Sequence, residues 1–246
     1  MIDFLEADWP APANVRTLLT TRAGGVSVGP YARLNLADHV GDDQAAVATN
    51  RARLRAVLPA EPLWLEQVHG TRVLCADDAR EDDRRADASV TRQAGRVLAI
   101  LTADCLPVLF CDRAGSVVAA AHAGWRGLAA GVLKATVEAM ACPPDELLAF
   151  LGPAIAGDAY QVGEEVRAAF LAADLAAAAA FSADGAGHWR CDLYALARLR
   201  LARIGLTEVH GGRYCTFSDA EHFFSYRRTS RCGRQASLIW LDDTRP

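Results

Sequence analysis

Val97–Thr102 and Leu106–Cys111 are apolar runs separated only by Ala103-Asp104-Cys105, and a third, Ser116–Ala121, follows the turn Asp112-Arg113-Ala114-Gly115. A strand with one wet face alternates apolar and polar residues, whereas an unbroken run reads as a strand covered on both sides. The three runs therefore predict a central sheet, and the rest of the chain must supply its cover. Val15–Arg22 reads as a strand ended by the tight turn Ala23-Gly24-Gly25. Helical spacing extends from Asp42 to Leu58, stopped by Pro59, and again over Leu128–Met140, Val162–Ala180 and Asp192–Ile204, the last with Asp192 as N-cap. The alanine run Ala176–Ala180 reads as surface helix.

Leu63–Val68, Arg72–Cys75, Leu147–Leu151, Phe223–Tyr226 and Ser237–Leu241 read as further strands, and the polar run Asp77–Arg85 as a solvated loop. Neither an internal repeat nor a Gly/Ser linker divides the 246 residues, a length that one core can serve. The expectation is a mixed α/β (α+β) fold, a single domain over residues 1–246 with at least two sheet-forming regions covered by helices.

A net charge of −4 and a pI near 5.9 argue against a nucleic-acid partner, which calls for a basic face. The longest apolar stretch, Val97–Leu109, is broken by Asp104 and is too short to span a bilayer, so no membrane role is expected. Met1–Pro10 carries three acids and no basic start, unlike a secretory signal. Seven cysteines without a CxxC pair suit a reducing compartment. Together these predict a cytoplasmic protein, monomeric or a small homo-oligomer.

Three segments place metal-capable side chains at strand edges: Trp64–Gly70 with His69, Thr102–Pro107 with Cys105, and Ala120–Gly127 with His122. His and Cys are preferred zinc ligands, and a catalytic zinc takes three protein ligands and keeps a fourth position open. Taken singly, His69 also reads as a turn histidine and Cys105 as a core residue. Asp104, a carboxylate between apolar strands, demands a buried cation or hydrogen-bond donors nearby. Cys105 and His122 would equally suit a thiol nucleophile and its base. A fourth ligand, His39 or Cys111, would instead make a closed structural site in a non-enzymatic binding protein.

Gly124-Trp125-Arg126-Gly127 stands directly before the expected helix, so its N–H groups and Arg126 are candidates for an oxyanion. Arg227, Arg228, Arg231 and Arg234, four arginines within eight residues, form a second candidate anion site. Asp104 or Glu66 are candidate proton carriers or hydrogen-bond partners of a ligating histidine.

The segments Thr21–Ser27, Leu34-Asn35-Leu36, WLEQVHG, TADCLPVLF, AAAHAGWRG, LGPAI, FFSYRR and GR-x-AS-x-IWL, in this order, resemble the YfiH family of bacterial proteins, also called the laccase-domain or polyphenol-oxidase family. The resemblance runs from about residue 15 to 241; Cys232 stands where the family has Thr. It implies sheets covered by helices and a zinc site at His69, Cys105 and His122. It also implies purine nucleoside phosphorylase activity, on a purine nucleoside and inorganic phosphate, with adenosine deaminase and methylthioadenosine phosphorylase side activities. Arg22 and Asn35 become candidate substrate contacts by the same resemblance. Members have also been described as a laccase and as a peptidoglycan-editing factor that removes serine from muramoyl precursors. Copper is less favoured than zinc, because the six histidines include no His-x-His pair and a multicopper centre needs many imidazoles.

Overall fold

In the computed structural model, which describes residues 2–78 and 83–243, the three apolar runs become Leu98–Thr102, Leu106–Asp112 and Val118–Ala123. They do not share one sheet. Leu98–Thr102 belongs to a five-stranded sheet ordered Phe4–Leu5, Val15–Thr20, Gln235–Leu241, Leu98–Thr102, Leu63–Trp64. The other two lie in a six-stranded sheet ordered Val209–Gly211, Leu147–Leu151, Leu106–Asp112, Val118–Ala123, Ala88–Thr91, Val73–Cys75.

The two sheets pack face to face, which explains why the runs are apolar throughout. Successive strand residues point to opposite faces. Leu98 and Ile100 meet Leu109, Cys111, Val118 and Ala120 between the sheets. Val97, Ala99 and Leu101 face outward onto Leu54 of helix α1 (Gln44–Arg55) and onto Leu34 and Leu36. Val108, Phe110, Ala119 and Ala121 face the other way onto α2 (Trp125–Ala130), α3 (Val132–Met140), α4 (Glu164–Leu171) and α5 (Leu193–Ala202). The result is four layers, helix, sheet, sheet, helices, with a dry core on each side of each sheet.

Helix starts follow the expected chemistry where a carboxylate caps them. Asp43 accepts from Ala45 N at 2.7 Å and Asp192 from Ala195 N at 3.0 Å, so α1 and α5 begin where sequence placed them. Three expectations change. Leu128–Met140 is two helices, because Gly131 adopts φ 101° between α2 and α3. Val162–Ala180 is a strand, Gln161–Gly163, then α4, then a 3-10 turn over Leu175–Ala180 started by Asp174. The alanines of that turn are not all surface: Ala177 and Ala180 pack into the helical core.

Phe223–Tyr226 is irregular rather than a strand. Its backbone is satisfied by side chains, with Phe224 N donating to Gln235 Oε1 at 2.9 Å and Arg228 donating to Phe223 O at 2.5 Å, so no neighbouring strand is needed. Leu63–Val68 forms a strand only over Leu63–Trp64, with one isolated bridge from Glu66 to Arg85. A three-stranded sheet of Gln161–Gly163, His188–Cys191 and Phe181–Ala183 has no counterpart in the sequence reading. Of the polar run expected as a loop, residues 79–82 lie outside the described residues. Among the described residues no helix is long and apolar enough to cross a membrane.

Candidate metal centre and its cavity

Strand register brings the expected ligands together. Leu106 pairs with Ala123 and Pro107 with His122, which sets Cys105, one residue before its strand, opposite Gly124 and diagonal to His122. On the other side of the same strand Ala88 pairs with Ala121, which sets Asp87 beside His122; His122 N donates to Asp87 O at 2.7 Å. His69 enters from the loop that leads to Val73–Cys75, with φ 61°. The ligand atoms of His69, Cys105 and His122 lie within 4.8 Å of one another, and Cys105 Sγ is 3.8 Å from His69 Nε2. Tetrahedral zinc with Zn–S about 2.3 Å and Zn–N about 2.0 Å sets neighbouring ligand atoms about 3.3–3.5 Å apart, so this donor set fits such an ion after a small inward shift.

Asp87, which the sequence reading did not single out, holds the arrangement. Its fully buried carboxylate accepts from Val68 N at 3.2 Å, His69 N at 2.8 Å and Gly70 N at 2.6 Å, and meets His122 Nδ1 at 2.9 Å. Burial opposes its charge, but His122 and the backbone donors outweigh burial and hold the carboxyl below its usual range. Burial likewise opposes charge on His122 and Cys105. Asp87 and Cys105 nevertheless raise His122 to about 9, and His122 and His69 lower Cys105 to about 6. The sequence carries little signal for Asp87, which follows the polar run Asp77–Arg85 and precedes Ala88-Ser89-Val90-Thr91, unlike Asp104 between two apolar runs.

Asp104 adopts φ 92° and is buried. Its partners are donors rather than a cation: Thr216 Oγ1 at 2.7 Å on one oxygen, Ser225 Oγ at 3.0 Å and Arg227 N at 2.7 Å on the other. The carboxylate thus ties the 216–227 segment to the end of the strand that carries Cys105.

The cluster opens into a cavity of about 370 Å³, within the range of small-molecule sites. Arg126, Arg227 and Arg234 line it, each over an aromatic ring that lines it too: Trp125 at 4.4 Å, Tyr160 at 5.2 Å and Tyr226 at 5.9 Å. None of the three is in an ion pair among the described residues, so a cationic cavity opens in an acidic protein. Arg227 donates to Gln161 O and Arg234 to Cys232 O and Gly233 O; Arg126 has no hydrogen-bond partner among the described residues. Arg126 lies in the first turn of α2, not before a helix, because the helix begins at Trp125.

The remaining candidates fall elsewhere. Arg22 donates to Ala32 O and Ala220 O, Asn35 bonds Ala37, Asp42 and Arg234 N, and Arg228 donates to Thr216 O, Phe217 O and Phe223 O. These three pin loops behind the cavity wall rather than line it. Glu66 is exposed and lies 4.0 Å from Arg85, away from both histidines' ring nitrogens. His39 lines the cavity but is outside the ligand cluster, and Cys111 is packed between the sheets, so neither closes the shell among the described residues.

The chain as a whole matches a known family. Residues 16–242 match the family profile described as multi-copper polyphenol oxidoreductase laccase, and the chain belongs to this laccase-domain, or YfiH, family. It is 57% identical over 241 residues to a purine nucleoside phosphorylase of Pseudomonas aeruginosa, covering 98% of this chain and 99% of that protein. It is 52% identical over 243 residues to the purine nucleoside phosphorylase YfiH of Escherichia coli, covering 98% and 100%. A crystal structure of a Neisseria meningitidis protein superposes with a TM-score of 0.94 at 55% identity, over 97% of this chain and 99% of that one.

Proposed function

We propose that this chain is a zinc-dependent purine nucleoside phosphorylase, working in the cytoplasm, with adenosine deaminase and methylthioadenosine phosphorylase as side activities. The observation that carries the reading is one cavity lined both by the His69, Cys105 and His122 cluster and by three arginines whose guanidinium groups are in no ion pair among the described residues. Relatives at 57% and 52% identity that bear the phosphorylase name support it.

His69, Cys105 and His122 would hold the ion, which when bound supplies Lewis-acid polarisation of a substrate oxygen. Phosphorolysis requires inorganic phosphate held against the sugar C1′ as the purine departs, with fixed donors meeting the charge. Arg126, whose donors have no hydrogen-bond partner among the described residues, is the phosphate-binding residue of this reading. Arg227 and Arg234 add charge to the same cavity, and Trp125, Tyr160 and Tyr226 offer faces on which a purine stacks. Asp104 fixes the segment that bears Tyr226 and Arg227. The test is phosphate-dependent release of hypoxanthine from inosine, lost in His122→Ala. A zinc-loaded wild type that releases none sinks the proposal.

One observation favours a second reading. Asp87, His122 and Cys105 form a line in which the carboxylate orients the imidazole beside the thiol, as a thiol hydrolase requires. Metal analysis separates the two: zinc bound one per chain and lost in Cys105→Ser supports the ligand role, and an active metal-free protein supports the nucleophile. For a multicopper oxidase, one cluster of three ligands among the described residues is too few.

A further inference from the structure

We infer that Asp87 is the positioning residue of the metal centre: one carboxylate fixes both histidine ligands, so the site stands formed before an ion arrives. The inference rests on the metal-site reading above and goes beyond it to a residue with no ligand role.

Asp87 Oδ1 takes two hydrogen bonds, one from the backbone N–H of His69 and one from Nδ1 of His122, at 2.8 and 2.9 Å. A carboxylate oxygen can only accept here, so Nδ1 of His122 carries the proton and Nε2 is left for the ion. Oδ2 takes the N–H groups of Gly70 and Val68. Three consecutive backbone donors thus converge on one carboxylate and hold His69 at φ 61°, a conformation that a residue with a Cβ seldom adopts without such over-determination. The turn so formed aims His69 at Cys105 and sets its ring 4.7 Å from that of His122 in an edge-on arrangement. Asp87 itself cannot drift: it is fully buried, and Arg72 O accepts its N–H at 3.1 Å while its own C=O accepts His122 N. A residue that orients the histidine behind a metal commonly contributes 10–100-fold in metal affinity.

Two measurements test this. In zinc-loaded, unmodified protein with ¹⁵N-labelled histidine, long-range ¹H–¹⁵N correlations should show His122 protonated at Nδ1 and coordinated through Nε2; coordination through Nδ1 overturns the inference. In Asp87→Asn, whose amide N–H2 meets backbone N–H donors that the carboxylate accepted, competition with a chromophoric chelator should show zinc held about 10–100-fold more weakly than in wild type. Val90→Ala, which thins the core of the same strand without touching the site, should keep affinity within about twofold of wild type. Equal affinity in Asp87→Asn and wild type, or an equal loss in Val90→Ala, overturns it. A wild type that binds no zinc removes the metal reading itself. Should Asp87→Asn not fold, the correlation spectrum of the unmodified protein decides.

Discussion

Gly124 and His69 stand so close that a β-carbon on Gly124 would lie 2.6 Å from Cδ2 of the imidazole and 3.1 Å from Sγ of Cys105. Two ligands therefore pack against bare backbone. Gly124→Ala should displace His69 and weaken zinc binding by at least tenfold, while the melting temperature of the metal-free protein falls little, since the ring can swing outward into the cavity. Chelator competition and thermal unfolding, run on the same preparation, check this. Unchanged affinity would mean that the cluster is looser than its geometry.

Asp104 separates a positioning role from proton transfer. Asp104→Ala strands two hydroxyls and the N–H of Arg227, each worth about 1–3 kcal/mol when left unmet. A loss near 3 kcal/mol in denaturant unfolding is expected. Asp104→Asn keeps an acceptor for Ser225 and Arg227 and turns its amide toward Thr216, whose hydroxyl can accept. That variant should retain most stability and phosphorolysis within a few fold. Loss of turnover with stability intact would assign Asp104 to proton transfer instead.

Cys105 should be the reactive thiol of the metal-free protein. Only the thiolate is nucleophilic, so alkylation should accelerate as pH rises through about 6 and level off above it. Burial pushes Cys111 and Cys191 up to about 12, and both should stay unmodified throughout that range. Zinc should protect Cys105. Mass spectrometry of iodoacetamide-treated protein between pH 4.5 and 9 reads both effects; a rate still climbing at pH 8.5 would show an ordinary thiol.

Arg126→Ala removes a guanidinium that stacks on Trp125 and has no hydrogen-bond or ion-pair partner among the described residues. A charged hydrogen bond is worth about 1.5–3 kcal/mol, so KM for phosphate should rise roughly 10–100-fold. KM for inosine should change much less, and folding should be unaffected. Initial rates over a grid of both substrates measure it; an unchanged phosphate KM passes the role to Arg227 or Arg234.

The chain itself determined more of the candidate metal centre than of its cavity. His69, Cys105 and His122 lie in motifs whose residue types announce metal chemistry, and the apolar runs announce strands covered on both faces. Local patterning carries such information because ligand chemistry and burial depend on residue type and spacing. What it could not show was that two facing sheets share those runs, that Asp87 sits opposite His122, or which arginines face the cavity. Arg126, Arg227 and Arg234 line it whereas Arg22 and Arg228 pin loops, although nothing in the residue type distinguishes them. Strand register and the long-range carbonyls that capture a guanidinium decide these placements, and both arise from contacts between segments up to about 200 residues apart.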